Sequence, residues 1–319
     1  MLNAGADSGW HYNPIADTMD IIIGDQRLNI KDYYCSSDGE YLPMTDGQLW
    51  LYVCLTDICN GSCRFCIADS VREGENKFDL SLFKETLDRI KDKISGVSIT
   101  GGEPMLYPKL LNAVISIIRD ICGPHIEIDM VTNGTGFSSI AETIDLGSLD
   151  SVHLSRHCLT DEDNDAIFGF KTVSMEAVGA VLKAMDDPAQ IVLNCVLMKN
   201  GIDSKSKIVQ YLNNAIDMGI RNVSFIGLSK CNEFCKANYV DPAGLDIWDD
   251  DRFCKWIECH DHEYCSCSSG SYSCQKGSIR LYFRRMGVSD VPYARQLVYT
   301  SDNRLLAGFG GKEIKFGQE

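Results

Sequence analysis

The run Leu51-Tyr52-Val53-Cys54-Leu55, followed shortly by Cys59-Asn60-Gly61-Ser62-Cys63-Arg64-Phe65-Cys66, decides how this chain is read. The first segment is β-rich and predicts a strand, and the second hangs three thiols on the loop that leaves it. Working outward, a helix is predicted near Leu80 to Lys93, then a strand at Val97 to Thr100 and a helix near Pro108 to Arg119. Ile126 to Val131, Ser151 to Ser155, Ile191 to Val196 and Asn222 to Ile226 read as four more strands. Helices near Ser138 to Ile144, Ser174 to Met185 and Ser204 to Met218 separate them, with Gly219 as a C-terminal stop. Such alternation is the pattern of βα units around a parallel sheet; six units suffice for an open or partial barrel and fall short of the eight in a closed one.

The expected fold class is therefore α/β, a partial (β/α)6 TIM-type barrel spanning 49–228. Residues 1–48 precede it as an extension with a hairpin, Asp20 to Ile30, turned at Gly24-Asp25-Gln26. Residues 229–319 follow as a cysteine-rich region, in which Ile279 to Arg284 and Gln296 to Leu306 are expected to form a two-stranded element.

Composition narrows the function classes. The chain has 319 residues, 45% hydrophobic and 24% charged, enough for a large core. Apolar runs such as Val114 to Ile118 are too short to span a bilayer, and the first ten residues carry no export signal, so a soluble cytoplasmic protein is expected with no membrane partner. In a reducing compartment, an odd number of cysteines, 15, gathered in two groups points to metal or cluster ligation rather than disulfides. A net charge of −15 argues against a nucleic-acid polymer as partner. Against that trend, Lys276, Arg280, Arg284, Arg285, Arg295 and Arg304 are opposed only by Asp290 and Asp302, which reads either as an anion site or as a solvated basic face.

Three thiolates can hold three irons of a cubane and leave the fourth iron open for a reacting ligand; a zinc ion with three cysteines and a water is the alternative. Gly101-Gly102-Glu103-Pro104 ends the second strand, where glycines admit a ligand close to the backbone and Glu103 can receive an ammonium group; a plain turn is the competing reading. Ser155 and Asn194, at the ends of the fourth and fifth strands, read as ligand contacts or as satisfied rim groups. Arg156 and His157 are expected to face the barrel mouth, either to bind a carboxylate or phosphate, to act as acid and base, or to serve as structural hydrogen-bonders. Cys54, Cys122, Cys158 and Cys195 read as packing thiols.

The C-x3-C-x2-C spacing with Phe65 before the last cysteine, the Gly101-Gly102-Glu103-Pro104 segment and Thr132-Asn133-Gly134 after the third strand together resemble the radical S-adenosylmethionine (SAM) superfamily. Leu55-Thr56-Asp57 with Asn60, Thr100 with Leu106, and Leu193-Asn194-Cys195-Val196-Leu197-Met198 resemble its branch of molybdenum-cofactor GTP cyclases and related peptide maturases and small-molecule enzymes, many with auxiliary (SPASM/Twitch-like) clusters. The resemblance runs from Leu51 to Ile226. It implies a 4Fe-4S cluster on Cys59, Cys63 and Cys66, and SAM contacts from Phe65, Gly101, Gly102, Glu103, Pro104, Asn133, Ser155 and Asn194. It also implies a 5′-deoxyadenosyl radical that takes hydrogen from a substrate, and a reductant such as flavodoxin or ferredoxin.

A second 4Fe-4S cluster in the C-terminal region is implied as well. In the cyclases its last ligand lies near the end of a hairpin, but no cysteine follows Cys274 here, so the ligands are expected upstream at Cys259, Cys265, Cys267 and Cys274. Cys254 competes with them, and His260 and His262 keep a zinc site open. Tyr52 stands where the cyclases carry a triphosphate-binding arginine, and Arg280 and Arg284 only loosely echo their other arginines. The substrate expected is thus a small anionic metabolite or a peptide, with a GTP cyclase-like nucleotide enzyme and a non-catalytic zinc or iron-sulfur module as alternatives.

Overall fold

The computed structural model describes residues 18–31, 33–35, 41–43, 49–68, 70–229, 232–258, 267–284, 294 and 296–317. The expected N-terminal hairpin is present as β1 (Thr18–Ile23) and β2 (Gln26–Lys31), turned at Gly24 and Asp25, and β3 (Tyr33–Cys35) with β4 (Tyr41–Pro43) makes a second short pair. The six parallel strands read from the sequence follow: β5 (Leu49–Cys54), β6 (Ile94–Thr100), β7 (Glu127–Thr132), β8 (Ser151–Ser155), β9 (Ile191–Leu197) and β10 (Asn222–Gly227), adjacent to one another in chain order. Between them lie α1 (Leu80–Ile90), α2 (Pro108–Cys122), the single turn α3 (Ile140–Thr143), α4 (Asp161–Phe168), α5 (Met175–Ala184) and α6 (Lys205–Met218), with Gly219 in the left-handed region at the end of α6 as its composition predicts. The helix α7 (Glu233–Asn238) opens the last third of the chain.

Among the helices between these six strands, α4 alone escaped the sequence reading. It starts at Thr160, whose side chain accepts from the Asp163 N–H, and carries Asp161, Glu162 and Asp163 in its first turn, where acids suit the helix dipole. With Phe168 its one buried large apolar residue, it offers no 3.6-residue stripe to detect.

The C-terminal third does not form the two-stranded element expected of it. β11 (Phe253–Glu258), β12 (Cys267–Cys274) and β13 (Gly277–Arg284) form an antiparallel meander, and β13 then lies parallel to β10. β14 (Gln296–Tyr299) lies parallel to β5 at the opposite edge and leads into β15 (Leu305–Leu306) and β16 (Glu313–Ile314). The physical reason is that both outer strands of the six-stranded core present free ladder groups, and pairing with them satisfies more backbone than an isolated hairpin would.

Residues in register across a parallel sheet share a face, so the alternation can be read strand by strand. Leu51, Val97, Ile128, Val152, Leu193, Val223 and Leu281 are wholly buried on the helix-covered face. The other face carries Tyr52, Ser98, Asp129, His153, Asn194, Ser224 and Arg284. In a flat sheet β5 and β13 would stand about 29 Å apart, at about 4.8 Å per strand. Yet the Arg284 guanidinium lowers the proton affinity of the Tyr52 hydroxyl, opposing the burial that raises it, so the sheet is curled and its polar face turned inward. Among the described residues no helix is long and apolar enough to cross a membrane.

Candidate functional site

Three cysteines, a Gly-Gly-Glu turn and an Asn-Gly turn meet where β5, β6 and β7 end. The cysteine loop is tied down on two sides: Cys59 N–H donates to Val71 O at 2.8 Å and Ser62 N–H to Phe168 O at 2.8 Å. Phe65 stands edge-on to the His157 ring at 5.1 Å, and that ring stacks on Phe168 at 5.1 Å, so Phe65 anchors the loop to the end of α4.

The glycines of the second motif have a role the sequence did not reveal. A side chain on Gly101 would collide with Thr56 O, and one on Gly102 with Ile58 O. They let the end of β6 lie against the cysteine loop itself, which Gly102 N–H and Glu103 N–H clasp through Thr56 O and Ile58 O. Gly102→Ala is expected to destabilise the protein by about 1–3 kcal/mol through overpacking, whereas Gly244→Ala, which meets nothing within 4 Å, should be close to neutral. Urea unfolding of the two variants checks this, and equal stabilities would refute the clasp.

Glu103 is 1% exposed and serves three donors: Met105 N–H at 3.0 Å and Thr132 Oγ1–H at 2.7 Å on Oε1, and Asn133 N–H at 2.7 Å on Oε2. Burial nevertheless pushes its pKa up to about 7, with the three hydrogen bonds opposing. A buried carboxylate in that state calls for a cation. Pro104 opens the turn that follows it.

The three thiols lie close enough to influence one another. Burial, and then the neighbouring Cys66 and Cys59, push the Cys63 thiol up to about 12, and burial raises Cys59, with Glu103 and Cys66 adding to it. Thiolates here would need a cationic group to stabilise them. Among the described residues no three His, Cys, Asp or Glu side chains converge as ligands of a single ion. Three thiols on one loop could hold three irons of one cluster, with a single zinc ion the alternative read from the sequence.

Arg156 and His157 do not face the mouth of the sheet. Arg156 is 2% exposed, with Nη2 on Asp161 Oδ1 at 2.6 Å and its carbonyl receiving the Tyr211 hydroxyl at 2.9 Å. His157 Nδ1 accepts the Val196 N–H at 3.1 Å, and burial followed by the Arg156 charge brings its pKa down to about 3, so it is a neutral wall residue and not an acid–base group. The two were misplaced because β8 ends at Ser155 and the chain turns under α4 at that point. One atom stays unsatisfied: Arg156 Nε has no hydrogen-bond partner, and the residue borders a tight crevice, with no room for a water molecule, lined also by Asn133, Leu154, Ser155, Asn164, Thr172 and Val173.

Asn194 is engaged elsewhere, accepting from His153 Nδ1 at 3.0 Å, while His153 Nε2 faces Asp129 Oδ2 at 3.7 Å. Burial holds His153 below its ordinary pKa and the Asp129 carboxylate opposes it. Asp129 and His153 were missed in the sequence, although an Asp between Ile128 and Met130 and a His between Val152 and Leu154, at the centre of two strands, are a signal.

The basic cluster from Lys276 to Arg304 is not one patch. Lys276 pairs with Asp217 at 2.7 Å and Arg304 with Asp302 at 2.8 Å, while Arg285 and Arg295 lie outside the described residues; Arg284 alone of the four described cations is placed to act on Tyr52, Glu127 and His153.

The four-cysteine C-terminal set is also corrected. Cys259 and Cys265 lie outside the described residues, but Cys267 and Cys274 occupy opposite ends of β12, Cys267 paired with Arg284 and Cys274 with Gly277. Seven residue steps along the strand separate them by about 23 Å, too far for one cubane. Cys254, the competing candidate, is exposed on β11 opposite Ser271.

Comparison with known proteins bears on this geometry. The profile of the Radical SAM superfamily matches residues 53–228, more than half the chain. A probable GTP 3′,8-cyclase of Sulfurisphaera tokodaii is 33% identical over 186 residues, covering 56% of this chain and 55% of the relative. The GTP 3′,8-cyclase of Psychromonas ingrahamii is 32% identical over 198 residues, covering 58% and 54%. The chain thus spans about half the length of the curated relatives it matches. In three dimensions it is similar to Streptococcus suis SuiB bound to its precursor peptide SuiA (TM-score 0.57, 16% identity, covering 83% of this chain and 60% of that one). It is also similar to a radical SAM methyltransferase from Sphaerobacter thermophilus (TM-score 0.54, 13% identity, covering 92% and 82%). At these identities the likeness is one of fold.

Proposed function

The chain belongs to the radical SAM superfamily, and from that premise we propose that it cleaves SAM reductively and abstracts hydrogen from a small anionic metabolite or a peptide. The observation that carries this reading is the junction at Asn133, whose backbone serves the buried Glu103 and whose amide reaches Cys59. Cys59, Cys63 and Cys66 would hold a 4Fe-4S cluster. When bound with SAM, that cluster supplies the electron that breaks the sulfonium's S–C5′ bond, releasing methionine and a 5′-deoxyadenosyl radical that takes a hydrogen atom from the substrate.

The chain's own residues then bind and orient. Glu103 would receive the ammonium of the methionine moiety, with Ser155 at the end of β8 as a further contact. The Phe65–His157–Phe168 stack holds the cysteine loop and excludes water from one side of it. The curled sheet acts as a partial (β/α)6 barrel whose inner face surrounds the substrate, with Arg284 meeting its anionic group and the Asp129–His153 pair beside it. Cys259, Cys265 and Cys267, without Cys274, are the proposed ligands of a second cluster, and flavodoxin or ferredoxin in a reducing cytoplasm the proposed electron source.

A nucleotide substrate is a second reading, favoured by the relatives named GTP 3′,8-cyclases; Tyr52 on the inner face weighs against it. Anaerobic reconstitution with iron and sulfide counting, followed by dithionite, SAM and chromatography for 5′-deoxyadenosine, tests the main reading. About eight irons with turnover supports two clusters and about four irons a single one; zinc without turnover sinks it. Stimulation of 5′-deoxyadenosine formation by GTP, with loss of GTP, would select the second reading.

A further inference from the structure

Asn133 lies between the carboxylate and the cysteine loop, and its side-chain amide has no freedom to turn over. Its Oδ1 accepts from Thr135 N–H at 3.0 Å and from the Thr135 hydroxyl at 2.7 Å. Its Nδ2 donates to Asn60 Oδ1 at 2.9 Å, and Asn60 Nδ2 closes the ring by donating to Thr135 Oγ1 at 2.8 Å. The Thr135 hydroxyl, accepting from Asn60, spends its one proton on Asn133. A reversed amide would set oxygen against Asn60 Oδ1 and nitrogen against two Thr135 donors, losing three hydrogen bonds at once. The second Nδ2 hydrogen is thereby aimed at Cys59 Sγ, 3.7 Å away, a sulfur that also receives Gly61 N–H at 3.2 Å.

We propose that Asn133 is a positioning residue that raises the reduction potential of the cluster on Cys59 through an N–H···S hydrogen bond, its orientation fixed by Asn60 and Thr135; the inference rests on the cluster assignment under Proposed function. Uptake of one electron adds a negative charge shared by the irons, sulfides and thiolate sulfurs. A donor aimed at one of those sulfurs stabilises the reduced form more than the oxidised one, which is the lever by which hydrogen bonds to sulfur tune such clusters. With Asn133 only 7% exposed, little water is at hand to replace the lost donor.

The test is a potentiometric titration of the reconstituted full-length protein without SAM, followed by electron paramagnetic resonance. Asn133→Leu, close in size and free of donors, should carry its full iron and be about tenfold harder to reduce, a midpoint about 59 mV more negative. Thr135→Val, which removes the hydroxyl but keeps the backbone N–H, should move the midpoint in the same direction by less. A wild-type midpoint in iron-loaded Asn133→Leu overturns the proposal; if that variant takes up no iron, a wild-type midpoint in Thr135→Val overturns it instead. A wild-type chain that assembles no 4Fe-4S cluster would overturn the cluster assignment itself, so the two failures are told apart.

Discussion

Replacing Cys59, Cys63 and Cys66 together by Ala is expected to remove about four irons per chain and to abolish 5′-deoxyadenosine formation while leaving the protein folded. The loss is total because the three thiols are the only thiols on this loop, and no other group there supplies the electron. The fold survives because the loop is held by bonds that do not involve sulfur: Cys59 N–H to Val71 O, Ser62 N–H to Phe168 O, and Glu103 N–H to Ile58 O. Removing Cys63, a thiol kept protonated by burial, even relieves the repulsion its ionisation would bring. Iron analysis, 5′-deoxyadenosine chromatography and urea unfolding of the apoprotein form one experiment. Turnover in the triple variant would sink the assignment of the site, and collapse of the apoprotein would show that the sulfurs are structural. Replacing Cys259, Cys265 and Cys267 is the informative contrast, since it should lower iron and spare SAM cleavage.

The parallel core was legible because its strands present largely apolar outer faces, as at Leu51 and Val53 or Ile128 and Met130, and its longer helices carry both periodicity and stops such as Gly219. The site's motifs were legible because cysteine spacing and Gly-Gly-Glu constrain local chemistry. What the motifs conceal is partnership at a distance. Gly101 and Gly102 read as room for a ligand, but the neighbour that needs the room is the loop at Thr56 and Ile58, more than forty positions upstream. Arg156 and His157 read as facing the barrel mouth because nothing nearby in sequence reveals that α4 folds back over them. The C-terminal strands were misassigned for a similar reason: β13 and β14 each prefer a long-range partner, β10 and β5, over one another, and local pattern carries no information about the free edges of a sheet formed earlier in the chain.

The stability advantage of the wild-type apoprotein over Glu103→Gln is expected to shrink as pH rises from 4.5 towards 8. Glu103 holds its proton more tightly in the fold, at about 7, than the ordinary 4.5 that applies when the chain is unfolded. Stability from this group is therefore fully present below pH 4.5 and is lost as pH passes through about 7. With each tenfold in proton affinity worth about 1.4 kcal/mol, the loss amounts to about 3 kcal/mol. The Glu103→Gln side chain cannot ionise, so subtracting the variant's curve from the wild-type curve isolates this loss from groups that titrate in both, such as the buried His157. The variant's curve is offset by a constant cost, because the new amide sets a donor against one of the N–H or O–H groups of Met105, Thr132 and Asn133. The same substitution should weaken SAM binding to the reconstituted protein about ten- to a hundredfold, the worth of one charge-assisted hydrogen bond to the ammonium. Urea midpoints measured at half-unit steps of pH across that window, with SAM affinity by equilibrium dialysis, report both effects. A pH-independent difference between the two curves would show that Glu103 is ionised without strain, and unchanged affinity would remove it from the binding site. If both effects appear, the carboxylate that destabilises the empty fold near neutral pH is the group that the ligand's cation stabilises, and this explains why so buried an acid sits beside the cysteine loop.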